Sequence, residues 1–207
     1  MADSDTASIA APAARKRPKP GERRVQILQT LAGMLEQPGA ERITTAALAA
    51  KLDVSEAALY RHFASKAQMF EGLIDFIEQS VFGLVNQIGE RESQPLARVG
   101  KVVQMVLQFG EKNPGMARVM VGDALVFENE RLSQRMNQLF DKLESSFKQS
   151  LREAADAAGS AAPTAEAQAR ASALTAFCIG RLQRFTRNGF KRSPTEYLET
   201  SLAMLLR

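Results

Sequence analysis

The sequence predicts an all-α chain. Three observations carry that prediction. Apolar residues recur at helical spacing, as in Leu28, Leu31 and Leu35, and again in Phe70, Leu73, Ile74, Ile77, Val81, Leu84 and Ile88. No segment sustains the alternation of apolar and polar residues that marks a strand. Helix breakers fall between the periodic stretches: Pro38-Gly39, Asn113-Pro114-Gly115, and the run from Gly159 to Thr164.

The elements follow in order. Residues 1–20 are rich in Ala, Ser, Pro, Lys and Arg and offer little apolar surface, so a disordered basic arm is expected there. A first helix is predicted over 22–37, ended by Pro38-Gly39. Thr44 should cap a short helix over 45–51, and Asp53-Val54 should make a turn. Ser55 should cap a third helix over 56–63. Ser65-Lys-Ala-Gln68 has the form of a capping box and opens a long helix to about residue 87. Pro95 suits the first turn of a helix reaching Lys112. A short helix over 116–121, long ones over 128–157 and 165–188, and a short last helix after Pro194 complete about nine helices. The organisation is a basic arm over 1–20, a DNA-reading unit over 21–66 and a larger helical body over 67–207.

Charge is unevenly placed. Residues 15–66 hold ten Lys/Arg against five Asp/Glu, whereas residues 67–207 hold 17 against 16. The positive excess coincides with residues 43–63, which read as two short helices around a tight turn, the layout of a helix-turn-helix. Thr44 and Thr45 open the first of these helices, where hydroxyls and free backbone N–H groups can meet a phosphate. Ser55, Glu56 and Ala57 form the first turn of the second, which enters the DNA groove in such motifs. Tyr60, Arg61 and His62 lie on its outer side, and their polar groups need solvent or a partner. Lys66 and the arm residues Arg23 and Arg24 supply charge for the phosphate backbone. Phe63 is expected to be core, and Leu48, Leu52, Val54 and Leu59 to hold the unit together.

Catalysis finds little support. The chain has one histidine, His62, and one cysteine, Cys178. No Ser-His-Asp set forms away from the DNA-reading unit, and no Cys/His cluster has metal spacing. No glycine-rich phosphate loop appears; Gly110-Glu-Lys-Asn-Pro-Gly115 lacks the Lys-Ser/Thr that would complete one. No enzyme, metal or cofactor is expected. A lone cysteine in an apolar stretch, the absence of an 18-residue apolar run, and a polar start without an apolar leader point to a cytoplasmic protein that makes no membrane contact.

Ile43-Thr-Thr-Ala-Ala-Leu-Ala49, Val54-Ser55 and Leu59-Tyr-Arg-His-Phe63, with Ser65-Lys66 and Phe70, closely resemble the N-terminal domain of TetR-type regulators. A second set resembles the nucleoid occlusion factors within that family: Leu73-Ile-Asp-Phe-Ile-Glu78, Phe109-Gly-Glu-Lys-Asn-Pro-Gly115, Ala124-Leu-Val-Phe-Glu128, Arg135-Met-Asn-Gln-Leu-Phe140 and Ala176-Phe-Cys178. The likeness runs from about Arg23 to Tyr197. It implies a TetR-like fold, a three-helix DNA-binding domain on a larger dimerisation domain, and a homodimer that reads palindromic double-stranded DNA. It further implies a nucleoid-associated protein that, on DNA, engages the C-terminal tail of the division GTPase FtsZ and opposes Z-ring assembly. The tail-binding groove lies between the fourth and fifth helices. The matching positions are Phe76, Lys112 and Asn113; Met105 and Gln108 share the same face but, like Leu84, depart from the subgroup's pattern. Phe140, Phe147, Phe177, Leu182 and Phe185 are expected at the dimer's four-helix contact, with the core of the single protomer as the alternative. The competing readings are a TetR-type repressor released by a small molecule, which needs a closed apolar pocket, and a structural nucleoid protein that binds DNA without sequence preference.

Overall fold

The computed structural model describes residues 21–37 and 42–207. The arm over 1–20 and the Pro38-Gly39 stop lie outside the described residues. Among those described there are nine helices and no strand: α1 (Glu22–Leu35), α2 (Thr45–Lys51), α3 (Glu56–Tyr60), α4 (Lys66–Arg91), α5 (Pro95–Lys112), α6 (Pro114–Met120), α7 (Glu130–Ala157), α8 (Pro163–Arg187) and α9 (Leu198–Leu205).

The small helices close by local chemistry. Thr44, Ser55 and Ser65 each accept a hydrogen bond from the backbone N–H three residues on, at 3.1, 3.3 and 3.2 Å. Each satisfies a donor that the first helical turn leaves open. Gln68 completes the box at α4 by accepting from the Ala64 N–H at 2.8 Å, one residue before the cap itself. Asp53 takes the left-handed conformation at φ 55°, which a short polar side chain tolerates. Ile27, Leu31 and Leu35 of α1 meet Leu48, Leu59 and Phe63 in a buried core. Leu52 and Val54 pack against its edge.

Helix α4 is the spine. Met69, Phe70, Leu73, Ile74, Ile77 and Val81 are buried along it. The apolar stripe skips Leu84, which is exposed, and continues through Val85 and Ile88, which pack against the core. Helix α3 is also shorter than expected: after Tyr60 the chain tightens, with the His62 and Phe63 N–H groups both donating to the Leu59 carbonyl. The break expected around Asn113 is sharper than a loop. The Asn113 amide donates to the Phe109 carbonyl at 2.8 Å and closes α5, and Pro114 opens α6 at its first position.

Helices α7 and α8 form a long antiparallel hairpin, and α5 lies against both. A Cβ at Gly110 would come within 2.4 Å of the Leu182 Cδ2, so glycine permits the approach of α5 to α8. Phe140, Phe147, Leu182 and Phe185 are buried inside this protomer, the core alternative and not the subunit contact. Only Phe177 among the five is half-buried. The hairpin needs its large apolar side chains to fill its own interior, and α8 turns Ala165, Ala169, Ser172, Ala173 and Ala176 outward.

The DNA-reading unit is locked to the body at two places. Helix α6 presses on α1 so closely that a Cβ on Gly115 would stand 2.1 Å from the Ala32 carbonyl oxygen. Arg118 of α6 donates to the Leu35 and Gln37 carbonyls at 3.2 and 3.4 Å, satisfying acceptors at the end of α1. Along α4, a row of ion pairs faces the start of α7: Lys66 with Glu128, Glu71 with Arg131, and Asp75 and Glu78 with Arg135. Burial works against the Arg135 charge, but the hydrogen bonds it donates to Asp75 and Glu78 outweigh it and raise its pKa.

Candidate nucleic-acid interface and partner groove

The caps at Thr44 and Ser55 set the two short helices of the helix-turn-helix and leave their first turns at the surface. Thr44, Ser55, Glu56 and Ala57 are all exposed, as are Tyr60, Arg61 and His62. Tyr60, at 46% exposure, directly follows Leu59, at 1%. One turn of helix thus puts an apolar anchor inside and a phenol outside. None of the residues expected to meet DNA is buried.

Five of the expected DNA contacts, Thr45, Glu56, Arg24, Lys66 and Arg23, are already engaged within the chain. The Thr45 hydroxyl donates to Glu56 Oε2 at 2.6 Å, tying α2 to the first turn of α3. The Arg24 guanidinium donates to the His62 carbonyl at 2.5 Å and lies 4.1 Å above the Phe63 ring. That double contact pins α1 to the end of the reading helix. Lys66 is half-buried, pairs with Glu128 and lies 5.7 Å from the Phe70 ring. Arg23 donates to Gln26 one turn on. These bonds order the site; a phosphate must draw Lys66 away from a carboxylate. Spacing within the sequence did not signal the Glu128 partner, because the two residues meet only through the tertiary fold.

The positions expected to meet a partner divide along α4 and α5. At 100° per residue, Phe76 and Leu84 fall on the flank of α4 away from Glu71, Asp75 and Glu78, whose partners are on α7. Phe76 is 48% exposed although Leu73, Ile74 and Ile77 around it are buried. On α5, Met105, Gln108 and Lys112 share one flank. The other flank carries Gly100, which faces Leu206, and Glu111, which accepts a hydrogen bond from Thr195. Met105 and Gln108 are half-buried and Lys112 is exposed. Asn113 holds the end of this strip through its bond to Phe109.

A cleft of about 420 Å³ opens at the far end of the body, between α4, α5 and α7. Val85, Val99, Val102 and Phe147 form its apolar side, and Asn86, Glu90, Arg98 and Gln149 its polar side. The Arg98 guanidinium is held there by the Glu92 carbonyl, Ser150 and Glu153. The cleft is open to solvent, unlike the closed apolar pocket that a ligand-released repressor needs. Among the described residues, no three His, Cys, Asp or Glu side chains come together as a metal site, and no helix is long and apolar enough to cross a membrane.

A capped helix-turn-helix with an exposed Tyr-Arg-His stretch, within a fold of nine helices among the described residues, defines a DNA-binding regulator. Comparisons with known proteins agree. Residues 27–73 match the tetR family of bacterial regulatory proteins, and residues 93–207 match the tetracyclin repressor-like C-terminal domain of SlmA-like type. The chain is 50% identical over 188 residues to the nucleoid occlusion factor SlmA of Vibrio vulnificus, covering 90% of this chain and 95% of that one. It is likewise 50% identical over 193 residues to SlmA of Aliivibrio fischeri, covering 91% and 96%. This chain belongs to the TetR family and, within it, to the nucleoid occlusion factors of SlmA type. The fold is shared more widely. The MbdR regulator of Azoarcus superposes with a TM-score of 0.73 at 16% identity, over 89% of this chain and 97% of its own. A TetR-like regulator of Rhodococcus superposes at 0.71 and 19% identity, over 91% and 97%.

Proposed function

We propose that this protein, as a homodimer, binds palindromic sites on the chromosome and, once bound, captures the C-terminal tail of FtsZ and opposes Z-ring assembly over the nucleoid. The kinship with SlmA proteins along nearly the whole chain supports this reading. The observation that carries it is Phe76. A phenylalanine half exposed beside a buried helical stripe loses free energy in water unless something covers it. An extended apolar peptide lying between two helices suits it. Lys112 at the end of the strip offers charge to an acidic tail. On the DNA side, Thr44, Ser55, Tyr60, Arg61 and His62 leave hydroxyl, phenol and cationic groups exposed within the helix-turn-helix, with Lys66 in reserve behind Glu128.

The test is binding of a fluorescent FtsZ tail peptide, with and without a palindromic duplex selected by the protein itself. Saturable tail binding that duplex strengthens and Phe76→Ala removes is the expected result. Tight duplex binding with no tail binding in either condition would instead favour a repressor.

A further inference from the structure

We propose that Arg184, Arg187, Lys191 and Arg192, at the end of α8, form a second phosphate-facing surface for DNA outside the helix-turn-helix. The proposal rests on the DNA-binding reading above. It starts from where the folded chain keeps its positive charge. Residues 21–66 hold six Lys/Arg against five Asp/Glu, so the folded DNA-reading unit is almost neutral. Residues 181–192 hold five Arg/Lys and no carboxylate. Affinity for duplex DNA comes largely from neutralising phosphates, and among the described residues the largest local surplus available for that lies here.

The surplus is presented on a fixed backbone. The Gly189 N–H donates to the Thr186 carbonyl, and the Phe190 N–H to the Phe185 carbonyl at 2.9 Å. Gly189 and Phe190 both take left-handed φ values, and their two bonds close α8. The Phe190 ring packs edge-on against Phe185 at 5.2 Å. The Asn188 side chain accepts from the Lys191 and Arg192 N–H groups at 3.0 and 3.3 Å. Arg184, Arg187, Lys191 and Arg192 are all exposed. Little backbone entropy is left to lose when an anion arrives.

Nearby carboxylates offset only part of the charge, and among the described residues only Arg192 of the four cations is paired with one. Glu196 pairs with Arg192 at 2.5 Å. Asp123 accepts from the Thr186 hydroxyl at 2.7 Å, and Glu111 from the Thr195 hydroxyl at 3.1 Å. Burial lowers the pKa of the neighbouring Arg181, Glu196 opposes that, and Arg184 and Arg192 lower it further, as expected where like charges crowd. A helix C-terminus favours cations, but only within its last turn and with about half an elementary charge. Lys191 and Arg192 stand beyond it.

Position selects DNA. The Thr186–Asp123 bond ties the cluster to the turn after α6, whose Glu128 pairs with Lys66 directly after the helix-turn-helix. The Thr195–Glu111 bond ties it to the end of α5, beside the α6 helix that packs on α1. The cluster therefore lies at the end of the body that abuts the DNA-reading unit.

The test uses the full chain and a fluorescein-labelled random-sequence duplex of thirty base pairs, titrated between 50 and 200 mM KCl. The variant is R184Q/R187Q/K191Q, which spares Arg181 and the paired Arg192. Its charge-matched control is K142Q/K148Q/R152Q, on α7 further from the DNA-reading unit. For each phosphate that is no longer neutralised, the slope of log affinity against log salt should flatten by about 0.9. The expected result is a slope shallower by about 1–3 and an affinity at 100 mM KCl about tenfold weaker in the first variant, with the control unchanged and both dimeric by light scattering. Wild-type slope and affinity in the first variant would overturn the proposal while leaving helix-turn-helix binding intact. Failure of the wild type to bind duplex would overturn both readings. Loss of the dimer in the first variant would assign the cations to the subunit contact. An unchanged duplex slope with lost binding of poly-glutamate would assign them to an acidic protein.

Discussion

Tyr60, Lys66 and Phe76 are the three side chains on which the proposed function turns, and each has a different relation to the core. Tyr60 touches solvent while Leu59 beside it anchors the helix. Tyr60→Ala is expected to weaken duplex binding by about 1–2 kcal/mol while leaving stability within about 0.5 kcal/mol of wild type, as for surface substitutions generally. Fluorescence anisotropy and a urea melt read the two separately. Lys66 is shared between Glu128 and a prospective phosphate. Glu128→Gln should therefore tighten duplex binding severalfold, roughly 0.5–1 kcal/mol, the scale of a partly exposed ion pair. Weaker duplex binding by that variant would mean that the pair orients Lys66 for DNA instead of competing with it. Phe76→Ala should lower tail affinity about tenfold or more, as for a buried aromatic anchor, and leave duplex binding intact. Exposure of Tyr60 and burial of Phe63 were both legible in the sequence, since each follows from a short helix with a polar outer side. The commitments of Lys66, Arg24 and Thr45 were not, because their partners lie on other elements.

At the scale of elements, what the sequence disclosed was local. Caps at Thr44, Ser55 and Ser65, the turn at Asp53 and Pro95 at the start of α5 depend on a few adjacent residues, and all form as expected. Contacts between helices were hidden. Phe140, Phe147, Leu182 and Phe185 have the same periodicity whether they face a partner or their own protomer, and the pattern alone does not decide. The ion-pair row along α4 is similar: 71, 75 and 78 form a face by spacing, but only the path of α7 brings Arg131 and Arg135 opposite. The basic cluster ending α8 vanished when charge was averaged over residues 67–207. Gly115 gives the element scale its sharpest test. Gly115→Ala should lower stability by about 1–3 kcal/mol in urea, the range for overpacking, because the obstacle is a carbonyl and not a movable side chain. A stability equal to wild type would mean that α6 and α1 can separate without loss.

Over the whole molecule, one continuous apolar core runs from Ile27 in α1 to Leu198 in α9. Cys178 sits inside it at 1% exposure, and burial pushes its thiol up to about 12. In the native protein at pH 8 the thiol should resist alkylation, reacting at a rate set by global opening. The sign of its pH effect is fixed. The unfolded chain ionises this thiol near its ordinary value and the folded chain only near 12. Its stabilising contribution is thus whole below about pH 8.5 and declines as pH rises towards 12. Rapid alkylation under native conditions would show that the α7–α8 hairpin opens locally.

The reach of Arg118 into the end of α1 bears on how far the reading head is a module. Two carbonyls at the end of α1 are satisfied by a guanidinium some eighty residues away, and α1 takes its outer wall from α6. Excised, the first 66 residues would lose both. The reading head cannot be transplanted onto another body as a free-standing cassette without bringing α6, or an equivalent prop, along with it.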